Sequence, residues 1–392
     1  MITDWLFIYL VVMNNMPLMR YIALFLLIAL GGSFLLGQGS PKSNQTLLPA
    51  PLQQRVLGAF DGSASVSDSL KLNYAMTYGS FLDVNKLCFS LGGNSDSCIA
   101  FNVDSLFQGY LSAHQNDYWA HKLYGDFLFR IFEMNRFSRK EDYFDVARRM
   151  NHHYSLAWQN GVLDAHSLYG LGYYSSLQER YSEAAQWYMK SLDLDSTNAL
   201  VNYSLGVSYL LGKNSLAAQP YALAAVSMYV DSLPRSDAAR IAGITLYENG
   251  RFEEAYRYFA LADSLSPGYL LNQTFLLRSL LQQSKDAETV LMANHIFMAS
   301  PHNPDVADRI YELFRIHRQK ELYLAHIHEM VDLHEGDDEA LGNLKFHLGK
   351  ILYISGQKRK ALRVFKQAKA HFKKVLPPNH QVFEALEDMP DQ

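Results

Sequence analysis

The stretch GITLYENGRFEEAYRYFALADSLSPG, Gly243 to Gly268, puts small residues where bulky ones ought to pack. Counting from Gly243, Ala255 follows twelve residues on, Phe259 four later, Ala262 three later and Pro267 five after that. The spacing predicts two amphipathic helices joined at Gly250, whose backbone can take the positive φ that turns the chain. Leu246, Phe252, Tyr256 and Phe259 supply bulk, and the small residues let the helices approach. A lone hairpin of this kind cannot bury its apolar faces, so its neighbours must resemble it.

The same pattern returns at Gly172, Ala184, Tyr188 and Ser191, at Leu205, Gly206, Tyr209, Ala218 and Ala225, and at Leu348, Gly349, Leu352, Ala361, Phe365 and Ala368. Gly172 to Gly206 is 34 residues, Gly206 to Gly243 is 37, and Pro267 to Pro301 is again 34. These residues resemble the tetratricopeptide repeat family, whose helical hairpins follow the spacing Leu-Gly-x2-Tyr, then Ala, then an aromatic, then Pro. The resemblance covers about 165–375 and implies an all-α fold, a right-handed solenoid of helical hairpins. Two units depart from it: Leu277 and Tyr311 replace the glycine, and Thr289 and Tyr323 the alanine, so a bend or an insertion is expected there.

Charge is nearly balanced over the 392 residues, with 35 Lys and Arg against 39 Asp and Glu, so no molecule-wide field favours nucleic acid. Arg20 precedes sixteen uncharged residues, Tyr21 to Leu36, which reads as a signal peptide in 1–39 with small residues at Gly37 to Gly39 for cleavage. Translation from Met16 or Met19 fits that reading, and an uncleaved membrane anchor is the competing one. The expected location is exported: periplasmic or associated with the cell envelope. Residues 40–102 read as a spacer and a poorly defined N-terminal region, with Ser40 to about Ser69 a tether and no convincing strand. Residues 103–160 read as divergent hairpins, 161–376 as the repeats, and 377–392 as a capping helix from Asn379 with an acidic tail, Glu384, Glu387, Asp388 and Asp391. Cys88 and Cys98, in CFSLGGNSDSC, are a candidate disulfide, for which chain entropy assigns about 2 to 3 kcal/mol. Two unpaired thiols are the alternative.

The family resemblance implies binding rather than catalysis, through a groove lined by the first helix of each hairpin. By spacing, that groove takes Tyr169, Tyr173, Tyr203, Val207, Arg240, Ile244, Tyr247, Phe346, Lys350 and Tyr353, with Arg278 in a degenerate unit. Tyrosine gives a rigid apolar face with a hydroxyl handle, and packing between units is the competing use of each ring. The Lys and Asn with which some family members grip a terminal carboxylate are absent, which favours an extended peptide or a protein surface as partner.

Catalytic and metal residues are not expected, nor any cofactor. His317, His326, His328 and His334 include a His328-Glu329 pair, but Asp332 stands where a zinc helix needs its second histidine. His152-His153 reads as a polar helix end or loop. There is no G-x-G-x-x-G, G-x-x-x-x-G-K-[ST] or G-x-S-x-G. An envelope enzyme or an accessory subunit of one, with a site in 70–160 or in the His317 to His334 helix, is the alternative. The run 358–374 carries Lys358, Arg359, Lys360, Arg363, Lys366, Lys369, Lys373 and Lys374 without an acid. It is read as a solvated last helix, with anionic lipid or an acidic partner as the functional alternative. Self-association of the solenoid is a third reading.

Overall fold

The computed structural model describes residues 46–91, 96–134 and 140–387. The signal or anchor segment and the start codon question lie outside the described residues, as do Asp388 and Asp391. No helix among the described residues is long and apolar enough to cross a membrane. The chain divides into two compact units that meet in sequence at Tyr229 and Val230.

The first unit opens with folded structure where a tether was expected. Helix α1 (Ala50–Asp61) places Pro51 in its first turn, where the missing N–H costs nothing, and buries Val56, Ala59 and Phe60. Helix α2 (Asp68–Tyr78) is capped by Ser67. Three strands follow, β1 (Gly79–Asp83), β2 (Lys86–Ser90) and β3 (Asp96–Ala100), in an antiparallel sheet of order β1-β2-β3. Leu87, Cys88 and Phe89 are all buried. That hides the period of two by which a half-exposed strand announces itself. Cys88 and Cys98 are register partners across β2 and β3 and are disulfide-bonded. The Phe81 ring meets Phe127 edge-on at 5.0 Å, which ties the sheet to the helices beyond it.

After α3 (Val103–Ala113) come three hairpins: α4 (Tyr118–Met134) with α5 (Lys140–Gln159), α6 (Ala165–Leu177) with α7 (Tyr181–Leu194), and α8 (Ala199–Leu211) with α9 (Ser215–Met228). Their starts are set locally. Asp164 accepts the Ser167 N–H at 2.7 Å, and Asn198 accepts that of Val201 at 3.1 Å.

The second unit holds four hairpins: α10 (Ser232–Glu248) with α11 (Phe252–Leu265), α12 (Leu270–Gln282) with α13 (Asp286–Ala299), α14 (Pro304–Ile316) with α15 (Lys320–Leu333), and α16 (Asp338–Ile354) with α17 (Lys358–Val375). A short α18 (Gln381–Glu387), starting two residues later than the sequence suggests, buries Phe383 and Leu386 in a cluster with Phe365 and Phe372.

The glycines answer the question their spacing raised. A methyl group on Gly243 would stand 2.5 Å from the Phe259 ring, and one on Gly172 would stand 2.6 Å from Tyr188. Gly349 and Phe365 repeat the arrangement. In each case a ring sixteen residues on lies against bare backbone of the first helix. Tyr154 extends the device, its ring flanked by Gly125 of α4 and Gly170 of α6.

The degenerate units contain no insertion: α12 and α14 have 13 residues each, α13 and α15 have 14. Their helices stand further apart, because the first helix now carries the bulk. Leu277 is fully buried, and Ala293, sixteen residues later, is small. Tyr311 fills its gap against Tyr323 at 5.8 Å between ring centres.

Gly243→Ala and Gly349→Ala are expected to lose about 1–3 kcal/mol in urea denaturation through overpacking. This is so even though alanine favours helix by about 1 kcal/mol. Gly109→Ala at an exposed position of α3, where an added methyl meets nothing within 4 Å, should gain stability.

Candidate functional site

In the second unit the first helices α10, α12, α14 and α16 pack side by side, and two cation–aromatic pairs bridge neighbours in this row. The Arg278 guanidinium of α12 lies 4.5 Å from the centre of the Tyr247 ring of α10, and 4.0 Å from a Glu248 carboxylate oxygen. Two helices on, the Lys350 ammonium of α16 lies 4.5 Å from the Tyr311 ring centre and 5.4 Å from that of Phe346. It also reaches Asp308 at 2.8 Å. Each such contact contributes about 0.5–2 kcal/mol according to its exposure, enough to hold a long side chain in one place.

Asp308 is the electrostatic centre of the second pair. His347 Nε2 stands 2.7 Å from the carboxylate, while His347 Nδ1 is 2.9 Å from the Asn343 carbonyl. Burial would raise the Asp308 carboxyl, but the His347 hydrogen bond and the charges of His347 and Lys350 outweigh it and hold the group well below the usual carboxylate range. His317, at the end of α14, is held below its ordinary value by burial and then by the Arg278 charge. Tyr353 is half-buried beneath the Lys358 ammonium, 5.7 Å from its ring centre.

Other expected groove residues are committed to the fold. Arg240 is 5% exposed, bound to Asp237 and, at 3.1 Å, to the Asn272 side-chain oxygen, so it pins α10 to α12 instead of facing a ligand. Ile244 is buried as well. In the first unit Tyr169 is buried, with its ring centre 5.8 Å from Phe129 and 5.5 Å from Tyr188. Tyr173 stands edge-on to Phe132 at 5.4 Å. Both rings therefore fill the space between α4 and α6. Tyr203 and Val207 are half-buried on α8.

The histidines of 317–334 do not converge. His326 is buried with Nδ1 2.6 Å from the Asn294 oxygen, His328 is exposed, and His334 Nδ1 meets the Met330 carbonyl. Among the described residues no group of three or more His, Cys, Asp or Glu could hold a metal ion.

The region 70–160 holds two polar clusters that sequence reasoning missed. Lys122 bridges Asp126 at 2.8 Å and Asp164 at 2.5 Å, and Tyr154 donates to Asp126 at 3.0 Å. Burial would lower the Lys122 ammonium, but the two carboxylates raise it. The available sign was a Lys–Asp pair four residues apart on a helix rich in apolar and aromatic residues. His153, read as a helix end or loop, lies inside α5, its Nδ1 2.8 Å from His121 Nδ1 on α4.

Burial, then the charges of His121, His152 and Arg149, hold His153 at about 3, and burial holds His326 at about 3. Both rings are therefore uncharged in the native state and gain a proton on unfolding. Stability should fall as pH drops below about 6.5, by up to about 1.4 kcal/mol per pH unit for each ring. Urea midpoints measured from neutral to mildly acid pH check this. His326→Gln should flatten the slope, and an unchanged slope would contradict the assignment.

No family model and no curated protein matches the chain. Among solved structures it is similar to YrrB, described as a TPR protein with an unusual peptide-binding site, at 18% identity and TM-score 0.37 over 48% of this chain and 95% of that one. It is also similar to a tetratricopeptide repeat protein from Parabacteroides merdae, at 14% identity and TM-score 0.43 over 67% of this chain and 97% of that one. A third is the C-terminal part of a TPR repeat-containing protein from Cytophaga hutchinsonii, at 13% identity and TM-score 0.42 over 73% and 95%. The hairpin period, the ring-on-glycine contact and the paired helices make the hairpins of 118–375 an all-α array of tetratricopeptide-type repeats, preceded in sequence by the small three-stranded sheet.

Proposed function

We propose that the chain is a noncatalytic scaffold, exported to the cell envelope, that binds an extended peptide or protein segment along its first helices. The supporting observation is the placement of Arg278 over Tyr247 and of Lys350 over Tyr311. A cation already fixed on an aromatic face loses little freedom when a ligand's acceptor meets it, and the half-buried Tyr247 and Phe346 offer apolar anchors beside it. Such preorganised aromatic and arginine positions are where binding energy concentrates. The apolar run after Arg20 and the bonded Cys88 and Cys98 support export, because disulfides persist in oxidising compartments.

Displayed extended peptides selected on the full chain should lose about tenfold or more in affinity to Tyr247→Ala/Arg278→Ala, since each anchor residue contributes about 1–2 kcal/mol. Retained affinity in that folded variant would overturn the groove reading. A C-terminal reporter enzyme active only outside the cytoplasm should be active in the fusion, and a silent fusion would overturn export.

A further inference from the structure

The outward face of α17 differs from the other charged helix surfaces. Several exposed arginines elsewhere have an acid three or four residues away: Arg148 and Asp145, Arg180 and Glu183, Arg257 and Glu253, Arg315 and Glu312. On α17 no acid occurs. Among the described residues, Arg359, Lys360, Arg363, Lys366 and Lys373 are exposed and have no ion-pair partner. Lys374 and His371 share Asp338, and Lys345 contacts His371. Glu384 of α18 pairs with none of the five.

Ala361, Phe365, Ala368 and Phe372 fix the buried side of α17, so Arg359, Arg363, Lys366 and Lys373 fall on the opposite side, at intervals of four, three and seven residues. They form one stripe about 21 Å long at 1.5 Å per residue. Helix stability accounts for Lys373, in the last turn, but not for the others. Lys358, Arg359 and Lys360 occupy the first turn, where the helix dipole repels cations, and α11, α13 and α16 carry two acids each in that turn. Subtracting the eight cations of α17 from the chain's 35 leaves 27 against 39 acids, so α17 is a cationic helix in an otherwise anionic chain.

We propose that this stripe docks the protein on an anionic lipid bilayer. Its layout favours that occupant over an acidic polypeptide: the cations stand in one line along the exposed side of a single helix and so offer tangential contact to a plane. Phe365 and Phe372 of α17 are buried within the unit, and of its large apolar side chains only Val375 at its end is exposed, so docking is electrostatic, shallow, reversible and sensitive to salt. The stripe lies on a second helix of its hairpin, so this surface does not depend on the first-helix reading.

The test uses the full chain with vesicles of phosphatidylcholine alone and of phosphatidylcholine mixed with phosphatidylglycerol. Any insertion by the N-terminal apolar segment acts on both, so the difference between the two reads the stripe. The native chain should partition at least tenfold better to the mixed vesicles, and high salt should abolish the preference. Neutralising Arg359, Arg363 and Lys366 to Gln should remove it, at about fivefold for each charge. Arg359→Lys/Arg363→Lys should retain it, which separates charge from folding. Equal partition to both vesicles, or an undiminished preference in the Gln variant, overturns the proposal. Stripe-dependent binding to polyglutamate without lipid preference would assign the face to an acidic polypeptide instead.

Discussion

The clearest units of the repeat region depend on an aromatic ring lying against helix backbone that has no side chain. In an ordinary helix pair two layers of side chains interdigitate. Here one layer is removed at the point of contact, which brings the helices together and lets the rest of each face be tyrosine, leucine and alanine in fixed positions. The turns follow the same discipline. Glu179, Lys213, Gly250, Ser284, Arg318 and Gly356 all take positive φ, one for each of the last six hairpins, and only two of them are glycine. A non-glycine residue pays about 1–2 kcal/mol there, so packing of the hairpin must dictate the turn.

The repeats were legible because their chemistry is local and recurs: a glycine and a ring sixteen residues apart need no partner from elsewhere to be recognised. The N-terminal sheet was not legible, since Leu87, Cys88 and Phe89 are covered on both faces and the strands are five residues long. Proline and serine before α1 suggested a tether, whereas Pro51 occupies a helix start and Leu48, fully buried, anchors the segment beside β2 through its N–H to Ser90 O at 3.0 Å.

The candidate site was legible by position but not by state. Spacing put Arg240, Arg278 and Lys350 on corresponding helix faces, yet only Arg278 and Lys350 keep partly exposed cations, while Arg240 is drawn in by Asp237 three residues before it and Asn272 on the next helix. A sequence pattern cannot distinguish these, because burial of a charge depends on whether a neighbouring helix supplies its counterion. The partner of Lys350 shows the same limit. Tyr311 entered the sequence reading as a failed glycine, and in the fold it is the aromatic floor beneath the cation.

The ring-on-glycine contact also governs how such a gene can change length. Adding or deleting one residue between Gly243 and Phe259 within a helix rotates everything beyond it by about 100°, so the ring would leave its glycine and face solvent or a neighbouring side chain. Single-codon insertions inside a hairpin should therefore be purged. Whole units, which restore the phase, can be duplicated or lost. The array is free to vary in count, and in the links between hairpins, but not in the spacing of glycine and ring within one.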